Sequence, residues 1–282
     1  MKKITLVFMV FLGVALLFFA CGKSKSPQSP AAGSAAAEPS AAADPATPPA
    51  ATAIRTIADM ANAWNALYRQ NEKAINDYQG IPIMGLVTPP LAFAAAVQFD
   101  MMNPGNRDGR FDGKLMLAGY KGFVEKAGAK LTFGYDETLA KDGFGPMAKA
   151  GDRMTANGSL ALDKEYFIWE TANERAGRKL ERGHYEFKRL GDGSMICLAL
   201  KGQTFNFRGE EELRDNVIYL HNGAGRYDFV IAKGKTGPGF AAISFADKGD
   251  LSKEQALELL KAMGYAIEKS GGVQGGKLVL DQ

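Results

Sequence analysis

The stretch KEYFIWETANERAGRKLERGHYEFKRLGDGSMICLAL, residues 164–200, decides the fold. Three β-prone runs, 164–173, 178–190 and 194–200, are separated only by the Asn173-to-Gly177 turn and by Gly191-Asp192-Gly193. A parallel crossover needs a dozen residues or more, so links this short predict antiparallel neighbours. Alternation assigns the faces. Within 178–190, Gly183, Tyr185 and Phe187 point one way and Arg182, His184 and Glu186 the other. Within 164–173, Tyr166 and Ile168 share one face, and Phe167 and Trp169 the opposite one. Bulky groups on both sides predict a strand covered on both sides. One cover is a helix; the other is a second layer or a ligand cavity.

The same signals extend in both directions. Further strands are expected at 113–119, 129–135, 153–162, 203–208, 216–221, 226–233 and 239–245, with Asp163 as another short link. Before them, Ile54, Ile57, Ala61, Trp64, Tyr68, Ile75 and Tyr78 recur at three- and four-residue steps, predicting a helix over 54–78 that Gly80 and Pro82 stop. The apolar segment 81–102 is broken by Pro82, Pro89 and Pro90 and reads as a buried helix, with Thr88 as its cap. After the strands, Ser252 and Gln255 form a capping box for a helix with Ala256, Leu259, Leu260 and Met263 as its apolar stripe and Gly264 at its end. Residues 265–269 and 277–280 close the chain as a hairpin. The class is α+β, a large antiparallel β-sheet flanked by N-terminal and C-terminal helices, and residues 54–282 form a single globular domain.

The N-terminus has a different composition. Met1-Lys2-Lys3 is a basic start, and residues 4–20 (ITLVFMVFLGVALLFFA) carry no charge. That order is the leader of an exported protein. No aromatic and basic closure of the kind that stops a membrane span follows it. Cys21 comes next, and residues 22–53 hold six of the chain's twelve prolines among alanine, serine and glycine. Such a segment buries too little apolar surface to offset its ordering entropy. We read residues 21–53 as a disordered tether with a reach of about 30 Å as a coil and at most about 100 Å when extended.

On Leu17-Phe18-Phe19-Ala20-Cys21 the chain resembles a bacterial lipoprotein precursor, with Phe18 where that family prefers leucine. The resemblance covers residues 1–21. It implies cleavage of residues 1–20 as a signal peptide and attachment of acyl chains, palmitate among them, at Cys21. The expected partner is then a membrane, reached through the lipid anchor. The expected location is the periplasmic or cell-surface face of the cell envelope, the outer membrane ahead of the inner one. Two acyl chains suffice for stable attachment at about 0.8 kcal/mol per buried methylene.

Charge excludes one class of partner. Thirty-four basic against 31 acidic side chains leave +3, and loss of Lys2 and Lys3 with the leader lowers this to +1. No nucleic-acid partner is expected. With Cys21 acylated, Cys197 has no disulfide partner and reads as a small buried hydrophobe.

The search for chemistry assigns no catalytic residue, no metal and no cofactor. Gly234-Lys235-Thr236 lacks the earlier glycine of a phosphate loop, and Ala148 takes the third-glycine place after Gly143-Phe144-Gly145. Ser194 lacks the spacing of a nucleophile elbow. Asn106, Asp108 and Asp112 read as an Asp-Gly turn rather than a calcium loop. Glu181, His184 and Glu186 read as a solvated strand face ahead of a metal or base site, and His221 as turn structure.

These observations order three function classes. First is a non-catalytic, membrane-anchored envelope lipoprotein presenting a binding or structural domain to an envelope protein. Second is a carrier of lipid or another hydrophobic ligand. The order of helix, long antiparallel meander and late helix resembles the half-barrel of LolA-type lipid carriers, which implies a cavity wall around Phe167 and Trp169. Third is an exported hydrolase.

Overall fold

A computed structural model describes residues 53–76, 107–114, 121–142, 148–206, 208–244, 250–274 and 276–281. The leader, Cys21, nearly all of the tether, the apolar segment 81–102 and Gly143-Phe144-Gly145 lie outside the described residues.

Helix α1 spans Ile57–Asn76. Thr56 starts it: Asp59 N–H donates to Thr56 Oγ1 (3.0 Å) and Thr56 N–H donates to Asp59 Oδ2 (2.8 Å). This reciprocal pair satisfies two amides that the first turn would otherwise leave without acceptors. Ile57, Met60, Ala61 and Trp64 form its buried face, at the spacing of one helical stripe.

Eleven strands follow in chain order: β1 (Gly109–Lys114), β2 (Lys121–Ala127), β3 (Lys130–Thr138), β4 (Arg153–Ala161), β5 (Tyr166–Arg175), β6 (Arg178–Arg189), β7 (Met195–Phe205), β8 (Glu211–Gly223), β9 (Arg226–Gly234), β10 (Ala266–Gln274) and β11 (Lys277–Leu280). They form one sheet in that same order, every neighbour antiparallel. Helix α2 (Lys253–Ala262) lies between β9 and β10 and starts with the expected Ser252–Gln255 capping box. The link of β5 to β6 shows why the reading of 164–200 holds: Arg175 pairs with Arg178, and Ala176 and Gly177 both take positive φ (50° and 78°), the two-residue turn that matches strand twist.

The two sheet faces have different covers. On the inner face, α1 packs with Val124, Leu131, Phe133, Phe167, Trp169, Phe187, Leu220 and Phe229 in one core. Helix α1 touches β6 through Trp64–Phe187 (5.3 Å between ring centroids) and also touches β8 and β11. On the outer face, Ala256 and Leu260 of α2 join Phe240, Ile243 and Leu251 over Ile196, Leu198, Val217, Tyr219 and Val230. That second cover lies over β7–β9. Among the described residues no helix is long and apolar enough to cross a membrane.

Several boundaries differ from the sequence reading. Strand β2 was not anticipated; Lys121-Gly-Phe-Val-Glu-Lys-Ala offers one buried side chain, Val124. The strand expected at 113–119 begins earlier, at Gly109, so Asp112-Gly113 is strand rather than turn. The runs 194–200 and 203–208 are one strand through Phe205. Gly202 permits this: a Cβ there would stand 2.1 Å from the Gly237 carbonyl oxygen. Of the strand expected at 239–245, the described residues 239–244 make no strand. A 3-10 turn at Gly237–Gly239 redirects the chain, and Phe240 and Ile243 serve as outer cover. His221 lies within β8, not in a turn.

Candidate functional site

The aromatic wall comes first because the carrier reading depends on it. Phe167 and Trp169 face α1 and are buried. Phe133 lies 5.7 Å from Phe167 and 5.1 Å from Trp169, and Phe187 is 5.7 Å from Phe167. These rings pack on one another as a core. Two polar atoms inside have no hydrogen-bond partner, Trp64 Nε1 and Tyr227 Oη.

The outer face holds the titratable groups. His184 and Glu186 share it, as alternation indicated, but they are buried, not solvated. His184 Nε2 is 2.7 Å from Glu186 Oε1 and Nδ1 is 3.1 Å from Glu170 Oε1. Both ring nitrogens meet oxygens of carboxylates, which accept only, so the ring is held as imidazolium. Burial draws its pKa down, yet the hydrogen bonds it donates to Glu186 and Glu170, with their negative charge, outweigh this and leave it raised. Tyr166 donates its hydroxyl to Glu186 Oε2. Arg182 reaches Glu170 and also donates to the Phe240 carbonyl (3.1 Å). Every member is engaged, as in a structural network. Glu181 instead pairs with Lys201 (3.1 Å).

A second cluster was missed. The β7–β8 register brings Ser194 Oγ to 2.9 Å from His221 Nε2, and Asp192 Oδ1 lies 2.6 Å from the same hydroxyl. Hydrogen bonds from Ser194 hold Asp192 below the usual carboxylate range, so Asp192 accepts the hydroxyl proton. Ser194 Oγ must then accept from His221 Nε2–H. Burial draws the His221 pKa down, and its Nδ1 has no partner. This polarity is the reverse of a nucleophile and its base, in which the imidazole nitrogen accepts from the serine. Cys197 is fully buried, and burial pushes its thiol well up, as an inert core cysteine requires. Among the described residues no group of three or more metal-ligating side chains is placed to hold an ion.

What remains is an open trough of about 780 Å³ on the outer face of the sheet's first half. Directly paired residues share a face, so the register assembles it. Strand β1 contributes Arg110, Asp112 and Lys114; β2 contributes Lys121 and Phe123; β3 contributes Asp136; β4 contributes Arg153, Thr155 and Asn157; β5 contributes Glu174. Arg153 grips Asp136 with two nitrogens, Nε at 2.8 Å from Oδ1. That pairing holds Asp136 below the usual carboxylate range. Arg110 Nε is 3.2 Å from Asp112, and its guanidinium lies 4.0 Å from the Phe123 ring centre. Gly134 is needed in the floor, since a Cβ there would come within 2.4 Å of the Ala156 carbonyl oxygen. The volume falls in the range of small-molecule sites, but the lining is far more polar than usual.

Comparison with protein-family models, with curated protein sequences and with solved structures finds no match to this chain.

Proposed function

We propose that the protein is a non-catalytic, lipid-anchored domain of the cell envelope that presents a polar binding surface. The trough is the observation that carries this reading. It lies on the half of the sheet that α2 leaves uncovered, and its lining contains no serine, cysteine or histidine. Two of its carboxylates are ion-paired with arginines, a state suited to fixed recognition rather than to proton transfer. The leader, Cys21 and the proline-rich tether support the anchor. Feeding cells a clickable palmitate analogue tests it. The parent is expected to take up label and fractionate with membranes, whereas Cys21→Ala is expected to remain unlabelled with residues 1–20 attached. Equal labelling of the two would refute the anchor.

A second reading, a carrier of hydrophobic ligands, draws support from the unpartnered Trp64 Nε1 and Tyr227 Oη on the inner face of the sheet. Native mass spectrometry of the acyl-free protein is then expected to show a lipid adduct. Adduct-free spectra after mild purification would set this reading aside.

A further inference from the structure

The trough's charges point to its ligand; this inference rests on the binding reading above. Lys114 and Lys121 face each other as a direct cross-strand pair on β1 and β2, and both are exposed. Like charges placed so destabilise a sheet. Edge protection accounts for a lysine on β1, the outermost strand, but not for its partner one strand further in. Among the described residues neither lysine has a carboxylate within ion-pair distance. The connecting residues 115–120, LMLAGY, contain no acidic side chain. Asp112 and Asp136, in contrast, are already gripped by Arg110 and Arg153. Among the described residues, one end of the trough therefore holds two ammonium groups without a counter-ion. A ligand oxyanion between them would replace repulsion by two charge-assisted hydrogen bonds.

The remainder of the trough selects what carries that oxyanion. Arg110 touches Asp112 through one oxygen, so the carboxylate keeps free acceptor sites. Thr155 and Asn157 add hydroxyl and amide groups along β4, and Phe123 and Tyr135 are the aromatic residues of the lining. Acceptors and amides in this density suit hydroxyl groups. We infer that the trough binds a phosphorylated saccharide, its phosphate between Lys114 and Lys121 and its hydroxyls toward Asp112 and Asn157.

Isothermal titration of the full chain in detergent at low salt tests this with glucose 6-phosphate, glucose and inorganic phosphate as separate probes. Glucose 6-phosphate is expected to bind saturably at one per chain, and glucose or phosphate alone at least about tenfold more weakly. Lys114→Ala with Lys121→Ala is expected to weaken the sugar phosphate by about tenfold or more. The charge-matched control Lys164→Ala with Lys277→Ala should bind as the parent does. Lys114→Glu should abolish binding while raising the melting temperature, because it creates an attractive cross-strand pair. Absence of saturable binding, or unchanged binding by the double variant, would overturn the site. Equal affinity for inorganic phosphate would overturn its saccharide part. Palmitate labelling of the same preparation reads the anchor independently, so a failed titration with intact labelling refutes the trough alone.

Discussion

The two histidines occupy the same sheet face and are held in opposite protonation states. His184 lies between two carboxylates and is charged; His221 donates to Ser194 through Nε2 and is neutral. Their contributions to stability must therefore change with pH in opposite directions. The His184 pKa is raised, so its contribution is complete below the unfolded value of about 6.5 and is lost as pH climbs through the folded value. The His221 pKa is depressed. Below about 6.5 the unfolded chain takes up a proton that the folded chain refuses, so stability falls as pH drops toward the folded value. Melting curves of the parent, His184→Gln and His221→Gln between pH 5 and pH 8 check this. The parent's advantage over His184→Gln should shrink with rising pH, and its advantage over His221→Gln should shrink with falling pH. Parallel profiles would contradict both assignments. Alternation alone placed His184 and Glu186 together. Their burial was not legible, because it depends on Leu198, Leu200 and Phe240, which the fold brings to this face from other segments. Ser194 and His221 were missed for a related reason: only strand register joins residues 27 positions apart.

At the level of elements, a pair of asparagines ties α1 to the β8–β9 hairpin. Asn71 Nδ2 lies 3.2 Å from Asn222 Oδ1, 3.0 Å from the Gly223 carbonyl and 3.2 Å from the Arg226 carbonyl. Asn222 Nδ2 in turn donates to the Trp64 carbonyl (3.4 Å). Asn71→Ala would leave buried acceptors without a donor and should cost about 2 kcal/mol. Urea unfolding should show this as a lower midpoint at unchanged slope; a loss under about 0.5 kcal/mol, the range of ordinary surface positions, would show that the contact does not hold the helix. The helices were legible because their caps and apolar spacing are local. Strands were legible where alternation is strong, as in β5 and β6. They were not where charge masks it, as in β2. The two strands expected at 194–200 and 203–208 are joined through Gly202, whose missing side chain lets the 237–240 segment approach.

Across the molecule, the division of labour follows from how much of each face is covered. Helix α1 packs on the inner face, a second helix and its flanking segment cover the outer face of β7–β9, and among the described residues the outer face of the first strands is left open with its charges. The sheet class and the inner cover of strand 164–173 were readable from residues 164–200, since short links forbid parallel pairing and Phe167 and Trp169 demand a layer over them; the second layer lies over β7–β9 instead, and Ile168 on the outer face of β5 is only half-buried. The trough was not readable: its side chains come from five strands, and none forms a motif with its sequence neighbours. The proposed attachment rests instead on residues 1–21, where hydropathy and a single cysteine coincide.

Mass spectrometry of the N-terminal peptide from the mature, membrane-extracted protein tests the central claim most directly. The account predicts a chain that begins at Cys21 with a diacylglyceryl group on its sulfur. A chain that retains residues 1–20, or one that carries a free thiol at Cys21 and washes off membranes, would contradict it.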